Sequence, residues 1–135
     1  YDLNGNYLWN KTWGGNSWEV ATSVALDSSD IYVAGWTQSY GAGLYDVFVL
    51  KYDLNGNLLW YKTWGGGNYD TASSLVIDSS YIYICGQTKS YGAGGYDAFV
   101  LKTDLDGIPE FSLVIVPILA IVAAFVVFRR IERER

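Results

Sequence analysis

The chain has 135 residues, of which half are hydrophobic and 17% aromatic, and its net charge is −5. Because the chain has no histidine and one cysteine, its composition excludes His-based catalysis, zinc sites built from His or paired Cys, and an internal disulfide. The excess of acidic residues argues against nucleic acid as a partner. Because the sequence begins with Tyr and contains no Met, we expect it to be a piece of a longer chain.

A tandem repeat fills residues 1–107. Residues 1–51 and 52–102 align without a gap and are identical at 33 of 51 positions, and a third copy starts at 103–107. β-Branched and aromatic segments bounded by Gly, Asn, Asp and Ser predict strands, and repeats of this length with β content are typical of propeller blades. We therefore predict an all-β fold of tandem four-stranded antiparallel blades, about two of which are present.

The predicted strands follow in chain order. Residues 7–13 are predicted to be the outermost strand of an earlier blade, and residues 23–27, 31–35, 45–51 and 58–64 the four strands of one complete blade. The second copy predicts three strands of a further blade. Hairpin turns are predicted at Asn4-Gly5, Ser28-Ser29, Asn55-Gly56 and Ser79-Ser80. The hydrophobic tail begins where the fourth strand of this blade is expected, so we predict that the ring of the parent protein closes with a strand borrowed from its other end. Two blades alone cannot close a ring of the usual 4–8.

A spaced set of residues recurs in both copies, and it carries a family resemblance. In the second copy the set consists of Leu59-Trp60, Gly65-Gly66, Asp70, Ala72, Val76-Ile77-Asp78, Ile82-Tyr83-Ile84, Gly86, Thr88, Ser90 and the segment Tyr96 to Lys102. This order resembles the SBBP-type β-propeller repeat of bacterial and archaeal surface proteins, with Glu19 in place of the acidic Asp in the first copy. The resemblance covers essentially all of residues 1–107. It implies a propeller on an extracellular protein and no particular reaction.

Residues 108–135 differ from the repeats. All four Arg lie in the last seven residues, directly behind the uncharged residues 112–128. As a helix this run would be about 25 Å long, close to the ~30 Å hydrocarbon core of a bilayer. We predict one C-terminal hydrophobic helix in the membrane, with Arg129 and Arg130 on the cytoplasmic side and the acidic body outside. A buried core helix is the alternative, but a run that is apolar all round and ends in Arg fits a membrane better.

The residues before this run add a second resemblance. Pro109, Glu110 and Phe111, followed by the apolar run and the basic end, are similar to the archaeal PEF-CTERM sorting signal. The resemblance implies an archaeal source and processing by an archaeosortase-like enzyme. It also implies a mature protein that lacks the tail.

Nine of the eleven acidic residues in 1–107 recur at equivalent positions. A single active site does not need one copy per repeat, whereas turns and strand caps do, so we predict structural roles and no catalytic, cofactor or metal site. The alternative is a calcium site in each repeat. The loop from Asp2 to Asn6 fits that alternative poorly, because its Gly is in the fourth position and an EF-hand needs it in the sixth. The recurring residues are Asp2, Asp53 and Asp104; Glu19 and Asp70; Asp27 and Asp78; Asp46 and Asp97.

Four tryptophans and the cysteine are the remaining candidates. Trp9, Trp13, Trp60 and Trp64 lie on one face of the predicted outer strands. They are interpreted either as packing between neighbouring blades or as a platform for sugar rings, since Trp combines a large apolar face with a polar N–H. Cys85 replaces the equivalent Ala34 and is predicted to be a small buried hydrophobe.

Together these features favour a non-enzymatic, extracellular cell-surface module that is adhesive or architectural and binds a surface glycan or protein. The alternative is an exported propeller enzyme that acts on polysaccharide with a pair of carboxylates located in upstream blades. Within this chain only Asp30 and Asp106 lack an acidic counterpart, and both are predicted to lie in turns.

Overall fold

The computed structural model describes residues 2–105, which form two antiparallel sheets. The first sheet has four strands, the second has three, and the strands of each sheet are neighbours in chain order. The described residues contain no helix, which confirms the all-β class. The strands are β1 (Glu19–Leu26), β2 (Asp30–Thr37), β3 (Asp46–Asp53), β4 (Leu58–Trp64), β5 (Asp70–Ile77), β6 (Tyr81–Thr88) and β7 (Asp97–Asp104).

The predictions for residues 108–135 concern a part of the chain that the structure does not describe. The hydrophobic helix over 112–128, the sorting motif Pro109-Glu110-Phe111 and the flanking Arg129 and Arg130 lie outside the described residues. Across residues 2–105, no helix has the length and apolar character needed to span a membrane.

The hairpin turns form where the local sequence predicts them. Gly56 has a φ of 79°, a left-handed conformation that glycine adopts without strain, and its amide donates to the Asp53 carbonyl at 3.0 Å. The Asp27 amide donates to the Asp30 carbonyl at 3.1 Å, and Asp78 does the same with Tyr81 at 3.0 Å. Gly5 forms the same turn as Gly56, but its turn does not join two strands of a sheet.

Two parts of the strand prediction differ from the structure by more than two residues. Residues 7–13 belong to neither sheet, because a strand needs a ladder partner and no strand equivalent to β3 precedes them among residues 2–105. β1 begins at Glu19, four residues before the predicted start. A β-bulge between Ala21 and Ser23 interrupts the alternation there, and the same bulge recurs between Ala72 and Ser74.

The two sheets pack face to face. We call the face of the second sheet that packs on the first sheet its leading face, and the opposite face its trailing face. The equivalent faces of the first sheet have the same names, so its trailing face is the one that packs on the second sheet. Hydrophobic side chains of the first sheet's trailing face are buried against the second sheet's leading face, and Trp60 and Trp64 pack on this core. The buried residues are Tyr32, Ala34, Val47 and Val49 from the first sheet, and Ala72, Leu75, Ile82 and Ile84 from the second.

The outer face of each sheet repeats one side of this core. The leading face of the first sheet carries Ile31, Val33, Phe48, Leu50 and Tyr52, packed with Trp13. The trailing face of the second sheet carries Tyr83, Cys85 and Val100. Val49 is 4% exposed and its equivalent Val100 is 78% exposed, because a second sheet covers only the former. For the same reason Cys85 is exposed, and the prediction that it is buried is wrong for the described chain.

Candidate functional site

A carboxylate closes the loops at one edge of the second sheet. Asp70 opens β5 opposite Thr88 at the end of β6. Its Oδ1 accepts a short hydrogen bond from the Thr88 hydroxyl, while its Oδ2 accepts from the Ser90 hydroxyl at 2.6 Å and the Gly66 amide at 2.8 Å. The Tyr91 hydroxyl donates to the Gly65 carbonyl at 3.1 Å. Residues 65–70 and 88–91 are therefore joined into one network.

The first repeat builds the same network with Glu19. Its Oε1 accepts from the Thr37 hydroxyl at 3.0 Å, and its Oε2 accepts from the Gly15 amide at 3.2 Å. The Tyr40 hydroxyl donates to the Gly14 carbonyl at 3.0 Å. The network is thus a property of the repeat, as expected of a structural element.

Both carboxyl groups are held in their charged form. Burial raises the pKa of Asp70, but the hydrogen bonds from Ser90, Thr88 and Gly66 outweigh it and leave the pKa below its usual value. Burial likewise raises the pKa of Glu19, and donors from Ser39, Thr37 and Gly15 lower it on balance. A carboxylate fixed in this state is an acceptor for loop donors and is poorly suited to act as a general acid near neutral pH.

The aspartates of the hairpins support turns, as predicted. Asp27 Oδ1 accepts from the amides of Ser29 and Asp30 at 2.7 and 2.8 Å. Asp78 makes the equivalent pair of bonds at 2.7 Å each. The backbone donors lower the pKa of both carboxyl groups. Asp53 closes the turn between β3 and β4 by accepting from two amides at 2.9 and 2.8 Å.

Asp46 is less fully satisfied. It is buried, and its Oδ2 accepts from the Gly43 amide at 2.9 Å, which confirms a loop-supporting role. Its Oδ1 and the Oδ2 of the equivalent Asp97 have no hydrogen-bond partner among the described residues. Within the same range, no group of three or more Asp, Glu, His or Cys is arranged to bind a metal ion. The absence of a calcium site stays a prediction.

Asp30, which has no acidic counterpart in the second repeat, forms an ion pair. Its Oδ2 lies 3.2 Å from Lys51 Nζ, and the same ammonium group donates to the Leu105 carbonyl at 3.2 Å. Asp30 therefore ties β2 to β3, while Asp106 lies outside the described residues.

Two of the predicted tryptophans contact the next sheet. The Trp13 ring centroid lies 4.9 Å from the Phe48 ring, and the Trp64 ring lies 4.6 Å from the equivalent Phe99 ring. Trp60 is also part of the core between the sheets, and its Nε1 has no hydrogen-bond partner among residues 2–105. The ring contacts of Trp13 and Trp64 favour the packing interpretation for these two residues.

Trp9 lies at the rim of an open cavity. Together with Lys11 and Trp13 it lines a groove of about 290 Å³ over the leading face of the first sheet, where Leu50 forms part of the floor. The Trp9 side chain is 40% exposed. The sugar platform stays a prediction for this residue.

An aromatic row that the sequence analysis missed runs along the edge where β2 ends and β3 begins. Trp36 stacks on Tyr45 with ring centroids 4.6 Å apart, and Tyr45 meets Tyr69 edge to face at 4.8 Å. Lys89 Nζ lies 5.9 Å from the Tyr69 ring centroid and 5.1 Å from that of Tyr96. The aromatic row therefore continues from the first sheet onto the second.

Backbone hydrogen bonds hold the middle of the row. The Asp70 amide donates to the Tyr45 carbonyl at 2.8 Å, and the Lys89 amide donates to the Tyr69 carbonyl at 2.8 Å. The outer end is open, since Tyr96 is 52% exposed. The recurrence of Tyr45 as Tyr96 could have indicated these two residues from the sequence. Trp36 corresponds to Gln87, so the repeat gave no such signal for it.

No protein-family model matches the chain, and no curated protein matches it.

Proposed function

We propose that the chain is a non-enzymatic, propeller-type module of an extracellular cell-surface protein and that its aromatic row binds a glycan. The observation that carries the proposal is the aromatic row itself, in which four rings and the Lys89 ammonium group follow one another across two sheets. Aromatic faces with polar edges suit sugar rings, and a row that crosses sheets suits an extended polymer better than a small molecule.

The rest of the proposal rests on the repeat and on the tail. Two sheets stacked by a gapless repeat are compatible with consecutive propeller blades, in line with the SBBP resemblance. The uncharged run at 112–128 with Arg129 and Arg130 behind it supports a membrane anchor. The similarity of Pro109-Glu110-Phe111 to a sorting signal supports export and later processing.

Affinity electrophoresis tests the glycan site. The full chain, in mild detergent, is run through gels that contain mannan, xylan or β-glucan. We expect retardation by at least one polymer, and Tyr96→Ala to weaken it roughly tenfold, which corresponds to ~1.4 kcal/mol. Trp9→Ala is the matched control, because Trp9 is an exposed aromatic residue outside the row.

Two results would contradict the site. The absence of retardation in every gel contradicts glycan binding. Loss of binding in Trp9→Ala with normal binding in Tyr96→Ala moves the site from the row to the predicted tryptophan platform.

Mass spectrometry of the protein from its native envelope tests location and processing. A C-terminal peptide that ends near Phe111 supports the sorting signal. One that ends at Arg135 keeps the anchor and contradicts processing, and full-length chain in the soluble fraction without detergent contradicts both.

A further inference from the structure

The charged member of the aromatic row is Lys89. Its side chain is exposed, and its Nζ lies 5.9 Å from the Tyr69 ring centroid and 5.1 Å from that of Tyr96. Within residues 2–105, Lys89 forms no ion pair with a carboxylate. Aromatic rings attract a cation through the negative potential of their faces, but they bring no opposite charge. The positive charge of Lys89 is therefore available to a ligand that binds along the row.

Lys51 shows the opposite arrangement. Its Nζ lies 3.2 Å from Asp30 Oδ2 and donates to the Leu105 carbonyl at 3.2 Å, and its side chain is only 12% exposed. The fold itself therefore uses the charge of Lys51 to hold strands together. The charge of Lys89 has no such use in the described part of the chain, which favours a role in binding.

The equivalent position in the first repeat is occupied by Gln38. Its amide donates to the Trp18 carbonyl at 2.9 Å, just as the Lys89 amide donates to the Tyr69 carbonyl at 2.8 Å, so the backbone holds both residues in the same way. Gln38 is exposed although the second sheet packs on the first. A neighbouring repeat therefore does not cover this position, and the two repeats differ there in charge.

We propose that the glycan bound by the aromatic row is acidic, and that a carboxylate or sulfate group on its sugar rings pairs with the Lys89 ammonium group. The proposal rests on the proposed function, because it names the chemical class of ligand for the same site. A sugar ring bound beside Tyr69 or Tyr96 brings its substituents next to the ammonium group. Hydrogen bonds from a lysine to an anionic oxygen are shorter and stronger than those to a neutral hydroxyl.

The charge of the whole chain makes binding of an acidic polymer informative. The net charge is −5, and every Arg lies in the last seven residues, so lysines are the only basic side chains of residues 2–105. An acidic surface repels polyanions at long range, and attraction by one ammonium group extends over about one Debye length. Binding of an acidic glycan would therefore report a local contact and not general adsorption to a basic surface.

Biolayer interferometry with matched pairs of polymers tests the proposal. Polygalacturonate and its methyl ester, and dextran sulfate and dextran, are immobilised through their reducing ends, and the full chain is added in mild detergent. We expect the charged member of at least one pair to bind with a Kd roughly threefold lower than its uncharged counterpart, as for an exposed ion pair. The pair that shows this preference distinguishes a carboxylate from a sulfate group.

Two lysine variants locate the preference. Lys89→Gln places in the second repeat the residue that the first repeat carries as Gln38, and we expect it to bind both members of a pair with the same Kd. Lys62→Gln is the matched control, because it removes the same charge from an exposed position on β4 outside the row, and it should keep the preference. A preference that persists in Lys89→Gln, or that is lost in Lys62→Gln, overturns the proposal.

Salt provides an independent readout. At about 1 M NaCl the Debye length falls to about 3 Å, so the ratio of the two Kd values in a pair should approach one. A preference that does not change with salt overturns ion pairing with Lys89. Equal binding of both members of every pair overturns the acidic ligand and leaves glycan binding in place, whereas the absence of binding to all four polymers contradicts the glycan site itself and the proposal with it.

Discussion

At the scale of single residues, Asp70 and Glu19 occupy the same repeat position with different burial. Asp70 is fully buried and receives three hydrogen bonds, whereas Glu19 is half-buried. Hydrogen bonds to a buried charged group contribute about 1.5–3 kcal/mol each, and those at an exposed site contribute less. The acidic residue of the second repeat is therefore the more important one for stability.

We expect Asp70→Asn to lower the free energy of unfolding by about 2–4 kcal/mol, because the amide cannot accept from all three donors. Glu19→Gln is the matched variant and should cost about 1 kcal/mol. Urea unfolding of the full chain, followed by tryptophan fluorescence at one fixed concentration, measures both. Equal losses would contradict the difference in burial.

The lowered pKa values predict how the stability of the fold changes at acidic pH. The folded state keeps Asp27, Asp70 and Asp78 ionised at a pH where the unfolded chain binds protons, so these groups stabilise the fold above their unfolded pKa of about 3.9. This contribution is lost as the pH falls through the lower folded values. We expect a level urea midpoint between about pH 5 and 8 and a decline below about pH 4, with a smaller decline in Asp70→Asn. A midpoint independent of pH down to about 3 contradicts the assignment.

Residue roles could be predicted where the chemistry is local. Asp27 and Asp78 accept hydrogen bonds from the amides two and three residues ahead. Their recurrence and the turn preference of Asp were therefore enough to predict their roles. Asp70 depends on Thr88 and Ser90, about twenty residues away, and only the sheet brings them together. The aromatic row is harder still, since two of its contacts join different repeats or loops.

At the scale of the strands, Gly35 allows the close approach of β1 to β2. A Cβ at this position would overlap the Val20 carbonyl oxygen and lie 2.8 Å from the Phe48 ring. Gly86 meets the Thr71 carbonyl in the same way in the second repeat. The glycine is thus paired with the β-bulge in each repeat.

We expect Gly35→Ala to lower the free energy of unfolding by about 2–3 kcal/mol, because backbone cannot move aside as a flexible side chain can. Gly67→Ala is the control, since nothing lies within 4 Å of its Cβ position, and it should change stability by less than about 0.5 kcal/mol. Thermal unfolding of the two variants side by side gives the comparison. A neutral Gly35→Ala would show that β1 can shift away from β2.

Strands were predictable where pairing and turn chemistry agree. The β3–β4 hairpin follows from Asn55-Gly56 between apolar runs. The start of β1 was not, because the bulge at Ala21 and Ser23 breaks the alternation on which the prediction relied. Residues 7–13 have the sequence of an outer strand, but sequence cannot say whether a partner is present.

At the scale of the whole molecule, identical residues have different environments. Val49 and Val100 share sequence neighbours, yet one is 4% and the other 78% exposed. The sequence predicts the period and the seven strands of the two sheets, whereas the neighbour that covers each sheet decides burial. That neighbouring sheet cannot be inferred from the sequence of one repeat.

We expect Val49→Ala to lower the free energy of unfolding by about 2 kcal/mol, through loss of buried apolar surface and a residual cavity. Val100→Ala should be neutral within about 0.5 kcal/mol in dilute solution. Urea unfolding of the two variants side by side measures this, and equal losses of stability would contradict the difference in exposure.

The matching of trailing and leading faces also has a genetic consequence. When one 51-residue unit is duplicated or deleted in frame, every remaining junction is of a kind that already exists, so no new surface has to evolve. Unequal recombination between the two similar copies can therefore change the number of sheets in a single event while each junction keeps its fit. If the proposed propeller is correct, selection on such events acts on the closure of its ring, which requires a particular number of sheets, and leaves the junctions unchanged.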